Sequence, residues 1–436
     1  MQRPSKFQII LLAVFVVMII LGFLGFSGKL PLPTGSKNIN YGEVTFWGTI
    51  PATVMQSVIG DKLQSDKSIT IRYVQKNKAT FDRDFVEALA SGTGPDLFLL
   101  DQDEILSTLN KIALIPFASI SERTFKDTFI EEGELFLRPG GIVALPLTID
   151  PLVMYWNRDM FTNASIVLPP TKWNEFYTLT PRVAVRNNSG GINQSFVAFG
   201  EYDNVSHAKD ILSMLILQSG KSIVAQTNGY LTADVTMDAS EGSSVARAVS
   251  FYTEFANANK DSYSWNRSLP ASRTMFESGD LAVYFGYAGE YGTIKTKNPH
   301  LNFDVALVPQ PDQATKKLTF GHMQGLAIVK SGKNPNGAFR AATLLSTREI
   351  TGAVAQALGL PPVRRDLLVS RPTDPTLSIF YDAALVSKAW RDPSTTETNQ
   401  LFRDMINDVN SGRLKVSQAL SIIQSSLIRI LGPYNQ

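Results

Sequence analysis

Strand-like and helix-like segments alternate near the start of the chain, and this alternation limits the possible folds more than any other feature. Residues 43–48 (EVTFWG), 69–74 (ITIRYV) and 96–100 (DLFLL) are β-rich or continuously apolar, as the strands of a sheet are. Residues 52–63 and 80–90 between them have the length and the apolar spacing of helices. This β-α-β-α-β order predicts an α/β fold with a parallel sheet, whose ligands bind beyond the carboxyl ends of the strands.

The pattern of strands and helices continues to the C-terminus. Further strands are predicted at residues 141–146, 150–156, 280–285, 303–309 and 325–330. Further helices are predicted at residues 210–218, 244–258, 273–279, 338–346 and 416–430. With 436 residues, the chain is long enough for two or three domain-sized units that each bury a core.

An apolar segment at residues 7–26 contains no charged residue. Its length matches a membrane-spanning helix, because about twenty residues cross the hydrocarbon core of a bilayer. Arg3 and Lys6 precede it, so the positive-inside tendency predicts a cytoplasmic tail at residues 1–6 and an extracytoplasmic remainder. We expect a retained single-pass anchor in the cell membrane, followed by a linker at residues 27–41. The alternative is a cleaved signal peptide, whose apolar region is normally shorter and ends in a small-residue site.

The composition excludes several classes of function. Cysteine is absent, which excludes disulfide bonds, thiolate metal sites and a lipid on an N-terminal cysteine. Lysine plus arginine (41) nearly balance aspartate plus glutamate (39) without a basic block, so nucleic acid is not an expected partner. The three histidines lack metal-ligand spacing, and neither a G-x-S-x-G elbow nor a P-loop occurs. We therefore predict a protein that is not an enzyme and that has no cofactor and no metal site.

Several short segments follow one another in the order typical of one protein family. They are SGTGPD at residues 91–96, ALP at 144–146, YWNRDMF at 155–161, PPTKWNEF at 169–176 and FESGDLA at 276–282. With these segments the chain resembles the family 1 extracellular solute-binding proteins, over about residues 42–436. Each segment alone is a weak signal, but several in register are fairly specific.

The resemblance implies a two-lobed periplasmic-binding-protein-like fold of type II, with a hinge and a cleft between the lobes. One lobe is expected at residues 42–149 plus 305–367, and the other at 150–304 plus 368–436. It also implies a monomer that captures a solute in the cleft, commonly a sugar or oligosaccharide, and delivers it to the permease of an ABC importer. Family members are often tethered through a lipidated cysteine, so in this chain the apolar segment is expected to supply the tether.

The candidate ligand-binding residues lie at predicted strand ends and at the predicted hinge. Sugars are recognised by aromatic faces and by planar polar groups. The ten candidates are Trp47, Thr49, Asp101, Gln102, Asp150, Tyr287, Glu290, His322, Arg364 and Trp390. The resemblance implies a cleft aromatic near Tyr287, although tryptophan is the usual residue there.

Other interpretations of these candidates remain open. Trp47 is as typical of a core position as of a ligand contact, and Asp101 also suits a helix N-cap. Arg364 is either a contact for an acidic group of the ligand or an exposed, solvated side chain. Trp265 and Trp390 lie in polar, loop-like sequence, which predicts exposed rings of the kind that mark binding surfaces.

Two other functions compete with solute capture. The same binding domain would serve as a sensor that reports to a membrane partner, although the six-residue tail predicts no cytoplasmic signalling domain in this chain. The second competing function is that of a surface enzyme acting on glycans. Asp101 and Asp103 would be its carboxylate pair, but the sequence does not define the distance between them.

Overall fold

The secondary structure alternates between strands and helices along the whole of the described chain. The computed structural model describes residues 14–15, 18, 40–63, 66–188, 190–227, 229–235 and 242–435. The strands are β1 (Gly42–Gly48), β2 (Ile69–Gln75), β3 (Leu97–Asp101), β4 (Ile112–Ala113), β5 (Leu137–Arg138), β6 (Gly141–Ile142), β7 (Leu145–Asn157), β8 (Val185–Arg186), β9 (Ile192–Val197), β10 (Val224–Thr227), β11 (Tyr230–Ala233), β12 (Leu281–Tyr287), β13 (Phe303–Ala306), β14 (Thr319–Val329) and β15 (Ser387–Lys388). The α-helices are Ala52–Leu63, Phe81–Ala90, Ile105–Thr108, Glu122–Thr128, Arg158–Asn163, Glu175–Val183, Ala208–Gln218, Ser244–Glu254, Ser272–Glu277, Tyr291–Lys297, Pro335–Leu345, Arg348–Leu358, Arg365–Leu368, Pro375–Leu385, Thr395–Asn410 and Val416–Leu431.

Most of the described strands belong to one mixed sheet of 11 strands. Its main order is β2-β1-β3-β14-β7-β12-β9-β8, with β13 beside β7 and both β4 and β15 beside β14. β1 pairs in parallel with β2 and with β3. The parallel unit predicted from the alternation of strands and helices is therefore confirmed.

Two long antiparallel strands, β7 and β14, connect two separate hydrophobic cores. Lobe 1 packs the buried apolar side chains of residues 44–149 and 323–384. Lobe 2 packs those of residues 152–320 and 380–427. Both strands pass from one core to the other where Pro151 lies opposite Gly321. A mixed α/β architecture with two lobes and a crossing point between them is thus present.

The strand β7 was predicted as two segments, at residues 141–146 and 150–156, but it is continuous over Leu145–Asn157. Twelve of its 13 residues are buried, so the polar and apolar alternation that marks a half-exposed strand is absent. The second core also extends past residue 305, where the sequence analysis placed the return to lobe 1. Val305 and Val308 belong to this core because β13 pairs with the lobe 2 half of β7.

Apart from residues 14–15 and 18, the predicted membrane anchor at residues 7–26 lies outside the described residues, as does nearly all of the linker. Within the described ranges, no helix is both long and apolar enough to cross a bilayer.

Candidate functional site

The crossing strands meet the carboxyl end of β3 at one place between the lobes. His322 of β14 lies opposite Asp150 of β7, and Gln324 of β14 lies opposite Asp101 at the end of β3. Polar side chains from three strands therefore gather at the hinge, the point at which β7 and β14 change from one core to the other.

On the lobe 1 side of the hinge, Asp101 and His322 form an ion pair. His322 Nε2 lies 2.8 Å from Asp101 Oδ1 and 4.0 Å from Asp103 Oδ2, and Lys78 Nζ lies 3.5 Å from Asp101 Oδ2. Burial acts to lower the pKa of His322, but the two aspartates outweigh it and raise that pKa to about 9. Burial acts to raise the pKa of Asp101, but His322 and Lys78 hold it well below its usual range. The His322 ring is therefore protonated at neutral pH.

Further carboxyl groups surround this ion pair. Burial raises the pKa of Asp103 to about 6 against the attraction of His322, and burial followed by the influence of Asp82 raises the pKa of Glu104 to about 8. We call Asp82, Asp101, Asp103, Glu104 and His322 the lobe 1 wall. Its carboxyl groups outnumber its cationic groups, so it has oxygen atoms that a ligand can reach as hydrogen-bond acceptors or, when protonated, as donors.

Two polar side chains at the hinge are engaged with the backbone. Gln102 is fully buried; its Nε2 donates to Gly321 O at 2.8 Å, and its Oε1 accepts from the Met323 amide at 2.8 Å. Asp150 Oδ1 accepts from the Gly289 amide at 2.9 Å, and burial raises the pKa of Asp150 to about 6. Gln102 thus ties lobe 1 to the crossing strand, and Asp150 ties the hinge to lobe 2.

On the lobe 2 side, Glu290 has four partners, three through hydrogen bonds and one, Arg273, through an ion pair. The Tyr287 amide, His207 Nε2 and the Tyr284 hydroxyl each lie 2.8 Å from one of its carboxylate oxygens, and Arg273 Nη1 lies 3.2 Å away. Burial acts to raise the pKa of Glu290, but these hydrogen bonds, first that of His207, lower it. The carboxylate is therefore ionised and saturated with partners.

Tyr287 connects this cluster to the hinge. Its hydroxyl donates to Asp210 Oδ2 at 2.9 Å, and its ring centroid lies 4.8 Å from that of His207 and 6.1 Å from that of His322. His207 adopts a left-handed backbone conformation with φ 58°, a costly conformation that concentrates at functional sites. We call His207, Asp210, Tyr287 and Glu290 the lobe 2 wall.

A groove runs along the front of the lobe 1 wall and separates it from lobe 2. Its volume is about 400 Å³. Lobe 1 contributes Asp82, Asp103, Glu104 and Ser107, and lobe 2 contributes Pro393, Ser394, Thr395, Thr396, Glu397, Arg429, Ile430, Pro433 and Tyr434. A smaller recess of about 70 Å³ shares Asp82 and Glu104 with it and is also lined by Thr49, Lys78, Asp101 and Gln324. The two spaces form a polar site between the lobes, beside the hinge.

A family model covers most of the chain, including the hinge. The model of the bacterial extracellular solute-binding protein matches residues 48–351. The chain belongs to this family. The resemblance predicted from the sequence motifs is therefore confirmed, and a polar groove between two lobes is where such a solute-binding protein is expected to hold its ligand.

Individual relatives are distant in sequence and close in fold. A Brucella abortus (strain 2308) protein described as a binding protein is 21% identical over 286 residues, which cover 64% of each chain. The maltodextrin-binding protein MdxE of Bacillus subtilis (strain 168) is 21% identical over 285 residues, 64% of this chain and 62% of MdxE. The crystal structure of the cyclic alpha-maltosyl-1,6-maltose binding protein from Arthrobacter globiformis aligns with a TM-score of 0.74 at 15% identity, covering 89% of this chain and 98% of that one. The matches to the curated relatives thus span less than two thirds of those proteins.

Five of the predicted ligand-binding residues lie together at the hinge of this solute-binding protein. They are Thr49, Asp101, Asp150, Tyr287 and His322. Thr49 Oγ1 accepts from Gln324 Nε2 at 3.3 Å, which joins the end of β1 to the crossing strand. Gln102 and Glu290 also lie there, but their polar atoms already have protein partners.

Aromatic candidates lie mainly in the cores. The prediction of exposed rings at Trp265 and Trp390 is wrong, since their exposed fractions are 0% and 4%. Each indole nitrogen donates to a buried partner at 3.1 Å, Asn204 Oδ1 and Ser213 Oγ respectively. Trp47 is also buried, with Lys76 Nζ 3.6 Å from its ring centroid. For Trp265 and Trp390, apolar packing outweighed the polar sequence context, because each indole nitrogen found an internal acceptor.

Arg364 lies apart from the groove. Its guanidinium bonds Asp366 twice, at 3.0 and 3.1 Å, and the Ser346 carbonyl at 3.0 Å. These contacts stay within lobe 1 and engage all three guanidinium nitrogens.

Among the described residues, Asp101, Asp103 and His322 form a group whose ligand atoms lie within 4.8 Å of one another, close enough for one metal ion. A protonated imidazole has no free nitrogen lone pair, so the raised pKa of His322 works against metal binding at neutral pH.

Sequence reasoning did not select Asp82, Glu104, His207 or Asp210. Glu104 could have been found from the run of four polar residues at 101–104 (DQDE), which directly follows a buried strand. The others come from distant segments and meet only in three dimensions.

Proposed function

We propose that this solute-binding protein captures a sugar or oligosaccharide in the groove between its lobes and presents it to the permease of an ABC importer. The observation that carries the proposal is the groove of about 400 Å³ at the hinge, with carboxyl and hydroxyl groups on both sides. The capture of a solute by lobes that close about a hinge is a known type of domain motion.

The chemistry of the groove suits a polyhydroxylated ligand. Asp103 and Glu104 offer carboxyl oxygens from lobe 1, and Ser394 and Thr395 offer hydroxyl groups from lobe 2. Tyr434 is an aromatic surface for a sugar ring. Two of the relatives bind maltodextrin or a cyclic maltosyl maltose according to their names, which favours a glucose-containing solute.

The apolar segment at residues 7–26 is proposed to tether the protein to the cell membrane. A flexible linker of roughly fifteen residues spans about 20 Å and keeps the groove near a membrane-embedded permease. Mass analysis of the mature N-terminus tests this, because a start near residue 28 would mean that the segment is cleaved.

A thermal-shift screen of the purified full chain tests the proposed ligand class. The panel contains maltose, maltotriose, mannobiose, cellobiose and glucosamine. A ligand at a hundred times its dissociation constant stabilises the folded state by about 2.7 kcal/mol, which raises the melting temperature measurably.

Paired variants on one helix locate the site. Asp82→Asn alters a groove-lining carboxylate and should reduce the shift, whereas Glu87→Gln alters an exposed carboxylate on the same helix and should preserve it. An equal shift in both variants would contradict binding at the groove. Release of a sugar product by the purified protein would favour a glycan-active enzyme instead.

A further inference from the structure

The lobes also contact each other along a seam outside the groove. Lobe 1 contributes the segment Glu131–Phe136 and the hairpin strand β5, and lobe 2 contributes β15 and the residues after it. One ion pair crosses this seam, with Lys388 Nζ 2.8 Å from Glu131 Oε1. The seam is therefore a polar contact between the two lobes.

Arg391 crosses the seam from lobe 2 to lobe 1. Its Nε donates to Leu135 O at 3.0 Å, and its Nη2 donates to Leu137 O at 2.7 Å and to Glu134 O at 3.4 Å. Its Nη1 donates to Gln226 Oε1 at 2.8 Å. All these acceptors are neutral carbonyl oxygens, and none of the ion pairs among the described residues involves Arg391. The guanidinium charge is thus held in place without a counter-charge.

A second arginine lies on the lobe 1 side of the same seam. Arg138 follows Leu137 directly, and its Nη1 is buried without a hydrogen-bond partner among the described residues. Burial lowers the pKa of Arg138. Burial, and then the nearby charge of Arg138, lowers the pKa of Arg391 to about 10. Two partly desolvated cations therefore repel each other across the seam.

Two carboxylates of the lobe 1 segment at the seam are engaged elsewhere. Glu131 pairs with Lys388, and Glu134 Oε2 lies 3.4 Å from Lys126 Nζ. Neither carboxylate pairs with Arg138 or Arg391. The positive charge of the two guanidinium groups is not balanced by the described part of the chain.

We propose that Arg138 and Arg391, one from each lobe, form a binding site for a small oxyanion such as inorganic phosphate. A tetrahedral oxyanion can accept a charge-assisted hydrogen bond from Arg138, and its negative charge turns the mutual repulsion of the two guanidinium groups into a shared attraction. It also supplies an acceptor for the buried Arg138 Nη1, which otherwise carries a desolvation cost.

This anion site is separate from the proposed solute site. Neither Arg138 nor Arg391 lines the groove. Because each lobe provides one arginine, a bound anion favours the arrangement in which the lobes meet at the seam. By thermodynamic linkage, an anion that favours the solute-binding arrangement also binds more tightly when solute is present.

Calorimetric titration of the purified full chain with sodium phosphate, at constant ionic strength, tests the proposal. We expect saturable binding at concentrations up to about 10 mM, which would fill even a millimolar site. Arg138→Gln should weaken this binding at least about tenfold, because it removes charge-assisted hydrogen bonds. Without phosphate its melting temperature should match the wild type, since Nη1 has no protein partner to lose.

The matched control is Arg371→Gln. Arg371 is exposed on the protein surface and pairs with Asp382, so its removal should leave phosphate binding unchanged. Arg391→Lys keeps the charge but loses the hydrogen bonds that hold it at the seam, so it should bind phosphate more weakly than the wild type. The proposal is overturned if the wild type shows no saturable heat, or if Arg138→Gln binds phosphate as tightly as Arg371→Gln. Either result leaves the sugar screen, and with it the proposed function, unaffected.

Discussion

The lobe 1 wall and the lobe 2 wall each contain a histidine that lies 2.8 Å from a carboxylate oxygen, but the two pairs have different surroundings. In the lobe 2 wall, Glu290 accepts three hydrogen bonds, including one from His207, and forms an ion pair with Arg273. In the lobe 1 wall, His322 pairs with Asp101 while Asp103 and Glu104 have pKa values raised by burial. One wall is saturated with internal partners, and the other holds a surplus of carboxyl groups.

The difference separates two roles. A saturated, buried network fixes the shape of its surroundings, because every member loses a partner when one is removed. Carboxyl groups that lack such partners gain hydrogen bonds when a ligand arrives. We therefore expect lobe 2 wall residues to determine stability and lobe 1 wall residues to determine affinity for the solute.

The largest expected effect is on stability, at Glu290. Glu290→Gln removes the charge that pairs with His207 and Arg273, and breaking such a buried network costs about 3 kcal/mol or more. Glu104→Gln in the lobe 1 wall should instead raise the free energy of unfolding at pH 7, because the pKa of Glu104 is raised to about 8 and folding must protonate a carboxyl that is ionised in the unfolded chain. Urea unfolding at pH 7 measures the free energy of unfolding of both variants. Equal losses in the two variants would remove the distinction between the walls.

The walls should also differ in how pH affects them. The folded pKa of His322, about 9, exceeds its ordinary value of 6.5, so its charge stabilises the folded state fully below about pH 6.5. That stabilisation, about 2 kcal/mol after allowance for partial exposure, is lost as pH rises through about 9. The pKa of Glu290 is lowered, so its contribution is lost in the opposite direction, as pH falls below its ordinary value of 4.5.

Unfolding of His322→Gln and the wild type at several pH values measures this difference. The difference between their free energies of unfolding should narrow from pH 6.5 to pH 9. If the difference in free energy of unfolding stays constant across the alkaline range, the ion pair with Asp101 does not depend on the proton of His322.

A smaller effect is expected on solute affinity. Asp103→Asn should weaken binding of the best sugar from the screen about tenfold, or about 1.4 kcal/mol, with little change in stability. Glu87→Gln, outside the groove, serves as the control for the loss of one negative charge. Calorimetric titration with that sugar gives the dissociation constants, and an unchanged value for Asp103→Asn would move the affinity away from the lobe 1 wall.

The smallest effect is expected at Tyr287. Tyr287→Phe removes the hydroxyl that bonds Asp210 Oδ2 and should cost about 1 kcal/mol of stability. Because Tyr287 belongs to the lobe 2 wall, sugar affinity should change less than in Asp103→Asn. A larger loss of affinity than of stability would place the Tyr287 hydroxyl in direct contact with the solute.

Much of the fold could be predicted from local sequence patterns. The helix Ala52–Leu63 occurs with the predicted bounds, and the strands near residues 43, 69 and 96 form the predicted parallel unit. Periodicity and turn residues act over a few positions, so they reveal elements of this kind. β7 was read as two strands because a strand buried on both faces shows no alternation.

The site was predictable where its residues follow a strand end or lie near the predicted hinge. Asp101 and Thr49 were found in this way, because the carboxyl ends of parallel strands share one edge of a sheet. Trp265 and Trp390 were misjudged because their neighbours in sequence are polar while their neighbours in space are apolar. Burial depends on residues far apart in the chain, such as Ser213 and Trp390.

The sequence by itself determined the α/β class and the family, since both depend on the order of short segments along the chain. The tertiary structure decided which carboxylates became saturated and which remained available. Glu290 meets His207 across 83 positions, and Asp101 meets His322 across more than two hundred. The pKa of each group depends on burial and on charges within a few ångströms, and only the folded chain brings those charges together.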